Sequence, residues 1–268
     1  MVKSVHSSAH LPMRDIMGIS VAVLRAEQAI VELDNRIGNR NVSVVAFLNA
    51  NLSNLAADDP ELSDALRRSL ILNDGVGIDI ASRMLKGEKF PDNLNGTDFI
   101  PRFLSETSHA LRVYLIGART EAVEGALEKL RSVNPKHIFV GARNGYFSTQ
   151  ERVEVLETIR GLNPDVVLIA LGNPLQEKFA DQYIRDMGCT LAICVGGLFD
   201  FMSEQAVRAP LWIRRLRSEW LYRLYQDPKR LWKRYLLGNP VFMLRVAGAK
   251  VRSMLRKSNG ADSPEAKA

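Results

Sequence analysis

Cysteine is scarce in this 268-residue chain: Cys189 and Cys194 lie in one apolar stretch, too few and too close for a disulfide framework, which points to a reducing compartment. No run of about 18 apolar residues occurs, and the opening MVKSVHSSAHLPMRD lacks the apolar centre of a signal peptide, so neither a membrane span nor export is expected. Histidine is rare as well. His6, His10, His109 and His137 show no metal-ligand spacing, which argues against a zinc site. No Walker A motif is present, and Gly75-Val76-Gly77-Ile78-Asp79-Ile80 lacks the third glycine of a dinucleotide fingerprint, so ATP and nicotinamide readings find little support.

What is present suits a folded enzyme-sized protein. With 46% hydrophobic and 25% charged residues, the chain can bury a full core as one large α/β domain or two small lobes. The net charge of +6 is unevenly spread: residues 201–268 hold 15 Lys or Arg against 5 Asp or Glu, a net of +10, which leaves −4 for residues 1–200. Such a local basic patch suits nucleic acid, anionic lipid or a phosphorylated substrate, and it is also compatible with a merely solvated helical face. Apolar runs such as NVSVVAFLN, RVYLIGA, DVVLIALG and TLAICVGG alternate with helical patterns such as TEAVEGALEKLRSV and PLQEKFADQYIRDM. That alternation predicts an α/β fold, a Rossmann-like, mainly parallel sheet with flanking helices, followed by a basic amphipathic helical appendage at the C-terminus. The expected boundaries are a loose arm over 1–14, the α/β catalytic domain over 15–200, the appendage over 201–257 and a disordered tail over 258–268.

In parallel sheets ligands bind beyond the carboxyl ends of strands, and here those ends are rich in glycine and polar residues. They are Asn49-Ala50-Asn51, Asn73-Asp74-Gly75-Val76-Gly77, Gly117-Ala118-Arg119-Thr120, Asn144-Gly145-Tyr146-Phe147, Gly172-Asn173-Pro174-Leu175-Gln176-Glu177 and Gly196-Gly197-Leu198-Phe199-Asp200. Glycine permits close backbone approach, and a following helix N-terminus offers free N–H groups to an anion such as a diphosphate. Each turn also has a purely structural reading, since tight strand-to-helix connections favour Gly, Asn and Asp: Asp74 could cap a helix, Gln176 and Glu177 could be first-turn residues, and Asp200 could cap or pair with an Arg. No Asp-x-Asp triplet exists to hold a divalent ion on a diphosphate, so the phosphates are expected to be met by N–H groups and Arg, without a metal or other cofactor.

Taken in order, FLNANLSNLAADDPEL, LNDGVGIDIASRMLKG, LNGTDFIPRFL, VYLIGA, GARNGYFS, ALGNPLQEKF, VGGLFDFMSEQAVRAP and SEWLYRLYQDPKRLWKRYL resemble the successive signature blocks of the WecG/TagA/CpsF glycosyltransferases, from about residue 15 to about residue 245. The resemblance implies an inverting bacterial transferase that moves a sugar from a UDP-sugar to a polyprenyl-diphosphate-linked acceptor in exopolysaccharide or other cell-surface glycan synthesis. It places the base that deprotonates the acceptor hydroxyl at Asp74. It places Asn49, Arg83, the Asn95-Gly96-Thr97-Asp98 block and Gln176 in the donor pocket, alongside Gly75, Gly77, Gly117, Tyr146, Gly172, Asn173, Glu177, Gly197 and Asp200 from the strand ends. Phe47 stands where many members carry Thr, so a polar contact is lost and the donor sugar stays open.

The C-terminal segment is read separately. Leu211, Trp212, Leu216, Trp220, Leu224 and Tyr225 recur at helical spacing while Arg214, Arg215, Arg217 and Arg223 fill other positions, and Leu231, Trp232, Tyr235 and Leu236 follow beside Lys229, Arg230, Lys233 and Arg234. Basic helices interleaved with aromatics suit an anionic membrane interface; the alternative is an ordinary core stripe with a solvated Arg face. Arg208, Arg214, Arg217 and Arg223 are the candidates for the acceptor diphosphate or the membrane, and the expected location is cytoplasmic and peripheral on the inner face of the cell membrane. A nucleic-acid-binding protein could use the same basic, aromatic terminus, but it would leave the strand ends unexplained, so no nucleic-acid partner is expected. Whether the chain forms a homo-oligomer is left open by the sequence.

Overall fold

A computed structural model describes residues 11–205, 209–210, 213 and 219–261. Six parallel strands form the central sheet: β3 (Ser43–Leu48), β4 (Leu70–Asn73), β5 (Arg112–Gly117), β6 (Ile138–Arg143), β7 (Val166–Ala170) and β8 (Leu191–Cys194), in the order β4-β3-β8-β7-β5-β6. Strands β3 and β7 are buried along their whole length, because helices cover both faces and there is no wet side for polar residues to occupy. The pleat divides each strand between two cores. On β5, Val113 and Leu115 join one apolar cluster while Tyr114 and Ile116 join the other.

The first cluster packs under α1 (Ala26–Gly38), α5 (Gly96–Glu106), α6 (Thr120–Val133) and α9 (Leu198–Met202). The second packs under α2 (Ala50–Asp58), α3 (Pro60–Arg68), α4 (Val76–Lys86), α7 (Arg152–Gly161) and α8 (Leu175–Met187). Neighbouring strands β5 and β7 send the chain in opposite directions, β5 outward to β6 and β7 inward to β8, and the helices that follow them lie on opposite faces. This reversal opens a crevice at the carboxyl edge of the sheet. Helices α2 and α9, which follow the adjacent strands β3 and β8, likewise part to opposite faces.

The ends of the chain depart from the sequence expectation. A hairpin of β1 (Met13–Ile16) and β2 (Ile19–Ala22) lies against β4 and α4, so Met13 and Arg14 belong to ordered structure rather than to a loose arm. Arg14 explains why: its guanidinium donates to Ser82 Oγ and to the carbonyls of Glu88 and Lys89, pairs with Glu88 and stacks 5.0 Å from the Phe90 ring centre. At the other end, α10 (Glu219–Gln226), α11 (Pro228–Trp232), a π-helical turn (Lys233–Leu237) and α12 (Gly238–Ala261) form the helical C-terminal segment. Helicity thus runs to Ala261, three residues past the start expected for the disordered tail.

Helix α12 is part of the fold. Phe242 and Val246, one turn apart, are 1% and 0% exposed and belong to the same cluster as Leu52 of α2 and Ile78 of α4. Polar contacts fix its register: Asn54 Nδ2 donates to the Gly238 carbonyl (2.7 Å), and Arg245 donates to the Asn54 carbonyl (3.0 Å) and to both carboxylate oxygens of Asp58 (2.8 and 2.9 Å).

Candidate active site

The turns read from the sequence as a binding surface do meet at the carboxyl edge of the sheet. At the end of β3, Asn49 caps α2, its Oδ1 accepting from the Leu52 N–H (3.0 Å). Its Nδ2 is thereby free to donate across to Asp74 Oδ2 at 3.2 Å. Asp74 follows β4, and its N–H extends the parallel ladder to the Leu48 carbonyl (2.8 Å), which places the two strand ends side by side. Asp74 is half-buried.

A second loop braces this turn from below. Gly75 has φ +90°, a left-handed conformation that favours glycine, and its N–H donates to Asn93 Oδ1 (2.8 Å). Asn73 is fully buried with Nδ2 on the Asp92 carbonyl (2.8 Å), and Asp92 in turn accepts from the Ala26 N–H (2.9 Å). Asn73 belongs to a strand end read from the sequence, whereas Asp92 and Asn93 were not singled out there; the density of polar residues in Asp92-Asn93-Leu94-Asn95 was the available signal.

The Asn95-to-Asp98 block acts locally as a helix cap. Asn95 Oδ1 accepts from the Asp98 N–H and Asn95 Nδ2 donates to Asp98 Oδ2, both at 3.0 Å. Between them, Gly96 is buried with its α-carbon against Phe47: a β-carbon there would lie 3.2 Å from the ring. Phe47 is 6% exposed and sits edge-on to Phe99 at 6.4 Å, so it is a core residue that supports the start of α5. Thr97 is half-buried and Asp98 exposed on the same turn.

Across the crevice, Gly117 has φ +129°, and a β-carbon would fall 2.4 Å from the Ala170 carbonyl group. The neighbouring strand is therefore enough to demand glycine at this position. Gly145 packs its α-carbon against Gly117 and Leu171 and donates to the Ala118 carbonyl (3.0 Å), while Tyr146 beside it is 73% exposed. At the end of β7, Gly172 has φ +78°; the half-buried Asn173 and the buried Gln176 and Glu177 form a cluster in which Gln176 Oε1 accepts from the Gly196 N–H (3.1 Å) and Gln176 Nε2 donates to Glu177 Oε1 (2.8 Å). Burial pushes the Glu177 carboxyl up to about 7. Gly197 begins α9, and Asp200 is half-buried in its first turn.

Two of the named residues stand apart. Arg83 is exposed in the last turn of α4, about two helical turns from Asp74. Arg223 of α10 stacks its guanidinium 4.5 Å from the Phe201 ring centre, at the far end of α9 from Gly197. Arg208, Arg214 and Arg217 lie outside the described residues. Gly77 faces away from the crevice: a β-carbon there would meet Ala50 at 3.5 Å and Phe242 of α12 at 3.7 Å, so this glycine is where the C-terminal helix rests on the turn. Among the described residues no group of three or more His, Cys, Asp or Glu is arranged to hold a metal ion, and no helix is long and apolar enough to cross a membrane.

A doubly wound sheet with a carboxylate and several amides gathered at its carboxyl edge is a layout that group-transfer enzymes use. The sequence places it within that class: residues 14–256 match the model of the glycosyl transferase WecG/TagA/CpsF family, and the chain belongs to that family of glycosyltransferases. It is 35% identical to an N-acetylglucosaminyldiphosphoundecaprenol N-acetyl-beta-D-mannosaminyltransferase of Bacillus subtilis (strain 168) over 216 residues, covering 80% of this chain and 81% of the relative. Proteins of the same name from Bacillus spizizenii (strain ATCC 23059 / NRRL B-14472 / W23) and Staphylococcus aureus (strain MW2) are 32% and 27% identical, over 62% and 88% of this chain and 63% and 92% of their own lengths.

Proposed function

We propose that this glycosyltransferase moves an N-acetylhexosamine, N-acetylmannosamine being the first to assay, from its UDP-linked form to an N-acetylglucosaminyl-diphosphopolyprenol at the membrane surface, as a step in building a cell-surface glycan. The names of the relatives support the sugar and the acceptor. The observation that carries the chemistry is the Asn49–Asp74 pair, a half-buried carboxyl held by an amide at two adjacent strand ends.

In a single displacement the acceptor hydroxyl attacks the anomeric carbon from the face opposite the departing UDP, and the configuration inverts. Asp74 takes the hydroxyl proton as the bond forms. The Asn49 amide on Oδ2 helps to hold the plane of the carboxyl. The diphosphate leaves toward the strand-end turns within reach of Asp74, where backbone N–H groups and Arg side chains meet its charge without a metal ion. The acceptor lipid stays in the membrane, and the C-terminal helices hold the enzyme against it.

Asp74→Asn keeps the hydrogen-bonding shape but not the basicity. The expected result is an unchanged melting temperature with kcat reduced roughly 100- to 10,000-fold, measured with UDP-N-acetylmannosamine and the polyprenyl acceptor; near wild-type turnover would remove Asp74 from the mechanism. Thermal shift separates the nucleic-acid reading, since UDP stabilises a UDP-sugar enzyme and duplex or single-stranded DNA does not.

A further inference from the structure

Glu177 is an ionisable group placed where an ion is unwelcome. Its side chain is 1% exposed. One oxygen, Oε1, accepts from both Asn173 Nδ2 (2.6 Å) and Gln176 Nε2 (2.8 Å), while Oε2 is buried with no hydrogen-bond partner among the described residues. The charged groups on the elements around it are engaged elsewhere. Lys178 of α8 is bound to Asp59 and Glu61 at the start of α3, Asp181 pairs with Arg68 of α3, and Arg152 of α7 donates to Tyr183. On β8 the facing titratable group is Cys194, itself buried, with Sγ 3.5 Å from the Gln176 carbonyl. A carboxylate stripped of water beside two neutral amides and a thiol lacks a counter-charge, and a carboxylic acid does not need one.

The Glu177 carboxyl has a structural consequence at the crevice, since Oε1 accepts from both amides whether or not Oε2 carries a proton. Because Glu177 takes the NH₂ side of the Gln176 amide, the carbonyl side must turn the other way, where it accepts the Gly196 N–H at 3.1 Å. The chain Asn173–Glu177–Gln176–Gly196 therefore ties the turn after β7 to the turn after β8, side by side in the sheet. We propose that Glu177 is a positioning residue that works in its protonated form, locking the Gln176 amide and with it the Gly172–Pro174 and Gly196–Gly197 turns into the spacing that donor binding requires. When the proton on Oε2 passes to solvent, the bare carboxylate draws water between the turns and the lock loosens. The inference rests on the reading of these turns as the donor site.

The test is the pH profile of kcat/KM for the UDP-sugar between pH 6 and 9 in the wild type, Glu177→Gln and Glu177→Ala. Glutamine reproduces the shape and neutrality of the acid and keeps a carbonyl oxygen for Asn173 and Gln176. The wild type should lose donor kcat/KM by roughly tenfold per unit above about pH 7, chiefly through KM. Glu177→Gln should flatten that alkaline limb, and Glu177→Ala should raise KM at every pH. A ¹³C titration of the Glu177 carboxyl in the wild-type protein reads the same ionisation without a variant. An alkaline limb that survives in Glu177→Gln, or a carboxyl that titrates in the ordinary carboxylate range, would overturn the proposal. Failure of UDP to stabilise the wild type at pH 6 would instead sink the donor-site reading, leaving the carboxyl titration to be judged separately.

Discussion

His137 lies at the amino end of β6, at the pole of the sheet opposite the candidate site, and its ring is bonded on both sides. Nδ1 accepts from the Leu111 N–H (3.1 Å) and Nε2 reaches the Leu104 carbonyl (2.7 Å), an arrangement that only the neutral Nε2–H tautomer can satisfy. Burial lowers its pKa below 6.5, with the Leu104 bond opposing and Lys136 reinforcing. The unfolded chain therefore binds a proton more readily than the native state across that interval. Stability from this group is complete above about pH 6.5 and is lost as pH falls toward the lowered native value. Glu177, with its raised carboxyl, contributes in the opposite sense across the same window, so the His137 increment is read as the difference between wild type and His137→Phe in melting curves from pH 7.5 to 5; that difference should narrow as pH falls, and a constant difference would mean the ring does not titrate on unfolding. The same scale shows where sequence reasoning ran out. Gly117 was legible as a glycine-rich strand end, but the reason a side chain is excluded is the Ala170 backbone at 2.4 Å, a non-local fact. Phe47 was legible as a departure from its family, but its partner Gly96 lies 49 positions on, in a block whose glycine carried no packing signal of its own.

At the scale of elements, the alternation of apolar and helical stretches gave the parallel sheet and its strand ends, because both strand burial and turn chemistry are local signals. The β1–β2 hairpin and the docking of α12 were not legible in that way. The hairpin's strands are four residues each, too short for a period-2 pattern to stand out, and α12 carries apolar residues on more than one face. Phe242 occupies the docked face and lies against Gly77, in the turn that follows Asp74. Phe242→Ala should cost about 3 to 5 kcal/mol, the usual range for a buried phenylalanine, and should release α12 before the sheet unfolds. Hydrogen exchange would then quicken in 238–255, and kcat would fall with it, since α2 and α4 carry Asn49 and the Asp74 turn. Phe242→Leu should recover most of both. Faster exchange with unaltered kcat would separate the helix from the site. Gly77→Ala meets only ordinary contacts and should be tolerated, whereas Gly77→Leu should displace Phe242.

The whole molecule has a polarity that neither charge counting nor a single element reveals. Helix α12 turns Phe242 and Val246 inward, while Leu244, Val251 and Leu255, spaced at 7 and 4 residues, are 72%, 55% and 58% exposed beside Lys250 and Arg252. Trp232, Leu236 and Leu237 continue this apolar surface through the preceding segment with Lys233 next to them. An exposed apolar face edged with cations on a chain whose described helices cannot span a bilayer fits the interface of an anionic membrane. Removing the segment at residue 200 is a poor test, because it would also strip Phe242 and Val246 from the core. Replacing Leu236, Leu244 and Leu255 together with serine leaves the docked face intact and should reduce partitioning onto phosphatidylglycerol vesicles by tenfold or more, taking each buried leucine as roughly 1.5 kcal/mol or more. Melting temperature and turnover on a short-chain, water-soluble acceptor should stay near wild type. Binding to neutral phosphatidylcholine should be weak in both proteins, and salt should loosen the wild type from anionic vesicles, as the cationic edge requires. Undiminished vesicle binding by the triple variant would mean that this apolar face is not what holds the protein to vesicles.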